Sequence, residues 1–369
     1  IYNMKKRYGS LIDGSWVKHK KTFDVINPFD NSKILEVYDA EESGTLEAIK
    51  SSANAFKKWK KTSVEERSNY LKKFHLLVLK NKKSIAKIIT RECGKPLRES
   101  LVEVEYGASF IEWSANQCLR NCGKIFESSE KTKKMFYIKE PVGVVAAITP
   151  WNFPLAMVTR KVSAALAAGC CVVLKPSELT PITALALGEL SVEAKFPRGI
   201  FNIVNGKPKV IGDILSNNPT VKKITFTGST KVGKLLMKNS SKTIKNISLE
   251  LGGNAPFIVF SDANIDLAIE GLINAKFRNA GQTCISANRI FLNKEIHEDF
   301  LIKLKKRLKK MRIGSGLKDC DIGPLISKQA LEKVENHIQD ALDKGAKIEF
   351  GGKLHKPNSL LFEPTILTS

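Results

Sequence analysis

An α/β fold is predicted: a parallel sheet with helices on both faces, followed by a second α/β unit. Three features of the sequence point to it. From residue 140 to 251, short apolar runs alternate with helical segments. Strands regularly separated by helices pair in parallel, because each crossover needs a connection long enough to hold a helix. The alternation begins again near Leu251-Gly252-Gly253 and continues to residue 350. Ahead of both, the chain reads as helices that end in a polar stretch at 123–139. With 369 residues the chain exceeds one small core, so two domains are expected, 1–250 and 251–369.

In order, Leu11-Ile12-Asp13-Gly14-Ser15-Trp16 reads as a hairpin with Asp-Gly at its turn. Asn27-Pro28-Phe29-Asp30 is a further turn signal. An Ala- and Lys-rich helix spans 43–62, and Ser63 caps the next one with Glu66 three residues on. Apolar periodicity continues through Leu71, Phe74, Leu77 and Val78 to Ile85, Ile88 and Ile89, until Gly94-Lys95-Pro96 breaks it. Residues 99–122 are helical again. In 123–139, polar residues 128–134 separate Lys124-Ile125-Phe126 from Met135-Phe136-Tyr137-Ile138. This is a long hairpin standing off the body, a common way to reach another subunit.

Strands then follow at 142–149, 171–174, 199–204, 223–227 and 248–251. Helices at 156–168, 183–195, 210–215 and 230–239 lie between them. Such sheets bind ligands beyond the strand C-termini. The second unit has strands at 256–260, 289–292 and 347–350 and helices at 266–277, 297–311 and 329–344. Residues 361–367 read as a strand from the middle of a domain. The second domain is therefore expected to be C-terminally incomplete at Ser369.

Hydrophobic content of 43% and charged content of 26% are those of an ordinary globular protein. No apolar run approaches the ~20 residues that span a bilayer. The net charge of +23 and pI near 9.6 raise nucleic acid or anionic membrane as partners. The lysines, however, are spread along amphipathic segments such as Lys303, Lys305, Lys306, Lys309 and Lys310. No aromatic-and-basic RNA pattern, recognition helix or zinc spacing accompanies them. Neither nucleic acid nor membrane is expected as a partner, and the charge can attract an anionic substrate or cofactor. Seven cysteines in irregular spacing indicate a reducing compartment, with the cytoplasm as the expected location. Cys118 and Cys122 have no accompanying His or second Cys pair, so no metal site is expected. Residues 1–7 are basic but lack the apolar core of a leader.

Five segments at element ends carry chemistry. In Pro150-Trp151-Asn152-Phe153-Pro154 two prolines fix a turn; the Asn152 amide either donates to a developing oxyanion or stabilises the turn. In Lys175-Pro176-Ser177-Glu178, Lys and a carboxylate three apart either hold a ribose or form a solvated pair. Phe226-Thr227-Gly228-Ser229-Thr230-Lys231-Val232-Gly233 follows a strand and opens a helix. Its free amides suit a phosphate, and a plain strand-to-helix turn is the alternative. Glu250-Leu251-Gly252-Gly253 puts a carboxylate at a strand end, either a general base or an exposed charge. In Arg278-Asn279-Ala280-Gly281-Gln282-Thr283-Cys284-Ile285-Ser286 a cysteine sits between helix and strand. It is either a nucleophile or a small buried hydrophobe.

Together, in this order, the five segments resemble the aldehyde dehydrogenase superfamily, from Leu11-Ile12-Asp13-Gly14 to Glu363-Pro364-Thr365. The resemblance implies a Rossmann-like NAD domain, a second α/β catalytic domain and a protruding oligomerisation hairpin at 123–139. It implies Cys284 as nucleophile, forming a hemithioacetal and then a thioester. Asn152 and the Cys284 N–H would form the oxyanion hole, and Glu250 would be the base that activates water. The implied cofactor set is Trp151, Lys175, Ser177, Glu178, Gly228, Ser229 and Gly252. Lys161 matches a family lysine near the active site. The runs Ala156-Met157-Val158-Thr159-Arg160-Lys161 and 276–284 resemble the succinate-semialdehyde branch. There Arg160 and Arg278 would hold the substrate's distal carboxylate, since guanidinium forks bind carboxylates bidentately. A structural salt bridge is the alternative for either arginine, and Arg278 is expected on the last turn of the helix feeding the loop.

The implied reaction is oxidation of succinate semialdehyde to succinate by a homodimer or homotetramer. Glutarate semialdehyde or another aldehyde is the alternative substrate, and an inactive truncated homologue the alternative protein. Glu250 disfavours a CoA-acylating relative. Glu178 favours NAD, because a carboxylate repels a 2′-phosphate; Lys175 is compatible with NADP as well. Ser286 stands where many members of that branch have a second cysteine, so a local disulfide switch is not expected.

Overall fold

A computed structural model describes residues 9–368, so the basic stretch at 1–7 lies outside the described residues. The chain divides into two compact units. The first comprises Ile1–Asp24, Leu35–Ile85 and Val102–Glu250; the second comprises Val25–Ile34, Ala86–Leu101 and Leu251–Ser369.

The first unit is organised on a seven-stranded sheet. Its order is Asn246–Leu251, Val221–Gly228, Val144–Ile148, Cys171–Lys175, Phe201–Ile203, Ser10–Ile12, Ser15–Val17. The four strands from Val221–Gly228 to Phe201–Ile203 pair in parallel. The expected Asp13-Gly14 hairpin adds its two strands antiparallel at one edge. Cys-Val-Val-Leu-Lys at 171–175 is buried throughout. It reads as an unbroken apolar run because helices cover both faces of a parallel sheet. Each fully buried Val or Leu there contributes on the order of 2 kcal/mol.

Register decides what this sheet presents. Ile148 is level with Lys175 on one side and with Phe226 on the other. The loops after these strands therefore leave from one edge of the sheet. The chain steps from Val144–Ile148 outward to Cys171–Lys175 and Phe201–Ile203, then crosses to Val221–Gly228 on the opposite flank. That reversal is a topological switch point, where open α/β sheets hold ligands.

The front helices are Glu41–Trp59, Val64–Lys80, Lys82–Cys93 and Leu97–Cys118. Ser63 caps as expected, its hydroxyl accepting from the Glu66 N–H at 3.1 Å. The periodic run after it is two helices rather than one. Asn81 leaves the helical region and its Nδ2 donates to the Leu77 carbonyl at 2.9 Å, the side-chain competition that ends helices at Asn. Strands Lys21–Ile26 and Lys33–Asp39 flank the Asn27-Pro28 turn, where the sequence showed only the turn. The 123–139 segment is a hairpin of Lys124–Glu127 with Lys134–Tyr137, pairing Ile125 with Phe136 and Phe126 with Met135. All eight strand residues are exposed.

In the second unit Ala255–Val259 pairs in parallel with Ala287–Leu292. Helices Ile265–Phe277 and His297–Leu308 cover it through a core that includes Val259, Ile269, Leu272, Phe300 and Leu304. Helix Lys328–Asp343 packs through Leu331 and Ile338 with Phe362 and Leu325. Of the expected strand at 361–367 only Ile366–Thr368 forms, antiparallel to Lys347–Phe350; Pro364 has no N–H for a ladder. Among the described residues no helix is long and apolar enough to cross a membrane.

Candidate active site

Within the first unit, Lys175 ends its strand with its ammonium buried and donates to Glu178 Oε2 at 2.8 Å. Burial pulls the lysine down from its usual range, and the Glu178 charge works against that pull. The turn between them is fixed by Ser177, whose hydroxyl accepts from the Leu179 N–H. Thr180 ties it to the neighbouring loop by donating to the Trp151 carbonyl at 3.4 Å. At the other side of the switch point, Gly228 leaves no room for a side chain: a Cβ there would lie 2.4 Å from the Phe226 ring. Ser229 caps helix Thr230–Ser241, accepting from the Val232 N–H, and no acidic residue occupies that first turn. The remaining first-turn amides and the helix dipole favour an anion. A buried cation beside a carboxylate, a glycine that admits no Cβ and an acid-free helix N-terminus together fit a dinucleotide.

Helix Ala156–Ala167 begins just after Asn152. Its start is capped by Glu103, whose Oε1 accepts from the Leu155 and Ala156 amides at 2.9 and 3.2 Å. Arg160 is exposed and lies over the Phe110 ring, 5.5 Å from its centroid. The next residue, Lys161, turns inward and donates to Thr225 Oγ1 at 3.1 Å. Burial pulls Lys161 down to about 8, against the field of Glu250 and assisted by Arg160 and Lys223. Glu250 is exposed near the end of its edge strand.

Within the second unit, helix Ile265–Phe277 stops before Arg278, which takes extended ψ as the cap. Arg278 thus lies just past the helix, not on its last turn. Asn279, Ala280 and Gly281 then all adopt left-handed backbone, with φ of 53°, 55° and 76°. For Ala280 this costs on the order of 1 kcal/mol, while asparagine and glycine tolerate it. Surrounding groups hold the turn in place. The Asn279 N–H donates to Glu99 Oε2 at 2.8 Å, and the Cys93 thiol meets Asn279 Oδ1 at 3.6 Å. The Asn279 carbonyl accepts from both the backbone and the side chain of Gln282, whose Oε1 accepts from the Ile326 N–H.

Cys284 follows, exposed, while Cys93, Cys118, Cys170, Cys171 and Cys320 are buried. Beyond it, the Ser286 hydroxyl donates to the Lys276 carbonyl at 3.1 Å, closing the loop onto the end of its own helix. Gly253 leaves the Cys284 carbonyl 3.6 Å from where a Cβ would stand, and Gly252 borders open space. Glu99, Glu103 and Phe110 all lie on helix Leu97–Cys118, where the sequence reads as plain packing. The usable signal was two glutamates one turn apart beside an apolar stripe.

Residues 16–369 match the aldehyde dehydrogenase family, and the chain belongs to it. This is a family of NAD(P)-dependent oxidoreductases acting on aldehydes. The chain is 46% identical over 364 residues to the NADP(+) succinate-semialdehyde dehydrogenase GabD of Escherichia coli, covering 98% of this chain and 76% of that one. It is 45% identical over 364 residues to the glutarate-semialdehyde dehydrogenase of Pseudomonas aeruginosa, covering 98% and 75%. The crystal structure of succinate-semialdehyde dehydrogenase from Burkholderia pseudomallei superposes with a TM-score of 0.96 at 45% identity, over 98% of this chain and 76% of that chain. The expected fold class is thereby borne out.

Proposed function

We propose that this protein oxidises succinate semialdehyde to succinate with NAD, through a thioester on Cys284. One observation carries the reading: a single loop presents an exposed thiol at Cys284 and an exposed guanidinium at Arg278, on a backbone braced at Asn279, Gln282 and Ser286. Likeness to succinate-semialdehyde dehydrogenases supports the substrate. Glutarate semialdehyde, one methylene longer, is the second reading, favoured by the Pseudomonas relative.

Cys284 as thiolate adds to the aldehyde carbon, giving a hemithioacetal oxyanion. The Asn152 amide and the Cys284 N–H are assigned to that oxygen, where preorganised donors are worth about 3 kcal/mol. A nicotinamide cofactor, when bound, would supply the hydride acceptor for that carbon, and Cys284 would then carry the acyl group as a thioester. Glu250 takes a proton from water, whose oxygen then displaces the Cys284 sulfur and releases the acid. Lys175, Glu178, Ser177, Trp151, Gly228, Ser229 and Gly252 are assigned to the cofactor, with the Glu178 carboxylate favouring NAD over a 2′-phosphate. Arg160 and Arg278 are assigned to the distal carboxylate. The exposed apolar side chains Ile125, Phe126, Met135 and Phe136 on the hairpin strands support a homodimer or homotetramer, and the odd set of free thiols supports a reducing compartment such as the cytoplasm.

A panel of succinate semialdehyde, glutarate semialdehyde and butanal, each with NAD and NADP, tests the proposal. The acidic aldehydes should show the higher kcat/KM, Arg278→Leu should remove that preference, and Cys284→Ser should abolish turnover. Preference for butanal would sink the substrate assignment. Acyl-CoA as the product would sink the reaction.

A further inference from the structure

The left-handed turn at 279–281 links Arg278 to the Cys284 loop, yet it holds Ala280 in a conformation that alanine disfavours. An N–H that precedes such a residue needs a fixed acceptor if the turn is to have one geometry. The Asn279 amide has one, Glu99 Oε2 at 2.8 Å, reached from 180 residues away in sequence. The Glu99 carboxylate also feels the Arg278 charge, together with those of Lys95 and Arg98. Arg98 itself is anchored to Asp321 at 2.9 Å, which fixes the start of the helix carrying Glu99. Glu99 therefore combines a hydrogen bond to the turn with proximity to the guanidinium that the turn presents.

We propose that Glu99 is a positioning residue for substrate selection: by accepting from the Asn279 amide it locks the left-handed turn and aims Arg278 at the distal carboxylate of an acidic aldehyde. The proposal rests on the assignment of Arg278 above. It needs an acceptor of the right reach, and the negative charge is secondary.

Glu99→Ala, Glu99→Asp and Glu99→Gln in the full chain test it beside Arg278→Leu. Losing the hydrogen bond that fixes the turn should raise KM for succinate semialdehyde about tenfold in Glu99→Ala. Its kcat should stay within about threefold and its KM for butanal should not move. Glu99→Gln, whose amide oxygen reaches as far, should behave like wild type. Hydrogen exchange of the peptide spanning 278–284 should accelerate in Glu99→Ala and not in Glu99→Gln. If Glu99→Ala does not fold, Glu99→Asp takes its place: impaired Asp with intact Gln supports the proposal, and the reverse order overturns it. Equal KM changes for both aldehydes also overturn it. An unchanged KM in Glu99→Ala with a raised KM in Arg278→Leu overturns the role of Glu99 and leaves the substrate assignment standing. Unchanged KM in both variants overturns the substrate assignment itself.

Discussion

Lys175 and Glu178 meet at 2.8 Å with unequal exposure: the lysine side chain is 4% exposed and the glutamate 38%. The cation is held inside and the carboxylate stands at the rim. An added 2′-phosphate would therefore meet the negative partner first, and removing that partner uncovers a positive one. Glu178→Gln is expected to raise the NADP-to-NAD ratio of kcat/KM about tenfold or more. It should also lower the thermal midpoint by a few degrees, because Lys175 loses its counter-charge. Steady-state kinetics with both cofactors and a melting curve check the two halves.

Lys161 makes stability depend on alkaline pH. Its pKa falls from the ordinary 10.5 to about 8 on folding, chiefly through burial. Below about 8 both folded and unfolded forms carry the proton, and the folded protein bears the full cost of a buried ammonium. Between 8 and 10.5 the unfolded chain binds more protons, so this group makes stability rise with pH and then level off. The span is on the order of 3 kcal/mol. Lys161→Met should be more stable than wild type at pH 7 and should lack the rise. Urea titrations at pH 7, 8.5 and 10 show the difference; a parallel pH profile in the two proteins would refute it.

Only Cys122 and Cys284 are exposed among the seven cysteines. Burial pushes the thiols of Cys171 and Cys320 up to about 12 and 11. Reaction with iodoacetamide requires thiolate and access. Native protein should therefore take up two labels quickly and the other five only on unfolding. Loss of activity should follow the Cys284 label and be unaffected in Cys122→Ser. Peptide mapping against residual turnover distinguishes the two sites.

The contact between Gly228 and Phe226 predicts a paired effect. Gly228→Ala brings a methyl to 2.4 Å from the Phe226 ring, so the strand end or the ring must shift. Cofactor affinity should fall about tenfold. Phe226→Leu in the same chain should recover most of it, measured by titration of NAD.

Much of the site was legible in the sequence because its signals are local. Lys175 and Glu178 are three residues apart, Ser229 caps the helix it begins, and Ser63 pairs with Glu66. What the sequence hid is long-range. Glu99 reaches Asn279 across 180 residues, Glu103 reaches Leu155 across 52, and Lys161 reaches Thr225 across 64. The left-handed turn was hidden for another reason. Gly281 signals it, but nothing about alanine marks Ala280, whose conformation is imposed by surrounding contacts against its own preference. Strands Lys21–Ile26 and Lys33–Asp39 were missed because apolar residues fall on both faces, Ile26 exposed beside buried Val25 and Tyr38 half-buried beside buried Val37.

The shared level of Ile148, Lys175 and Phe226 also governs which changes of chain length the protein tolerates. Side chains alternate faces with a period of two, so removing one residue from any of these strands turns every later side chain of that strand over. The loop that follows would leave the sheet half a pleat out of phase with its neighbours. Lys175, last in its strand, would swing from one face of the sheet to the other. Single-residue insertions and deletions should therefore be lethal to activity across 144–148, 171–175 and 221–228, while the turn between the hairpin strands at 128–133 absorbs them. In the history of this chain, length variation should have collected at the hairpin tip and been purged from the sheet.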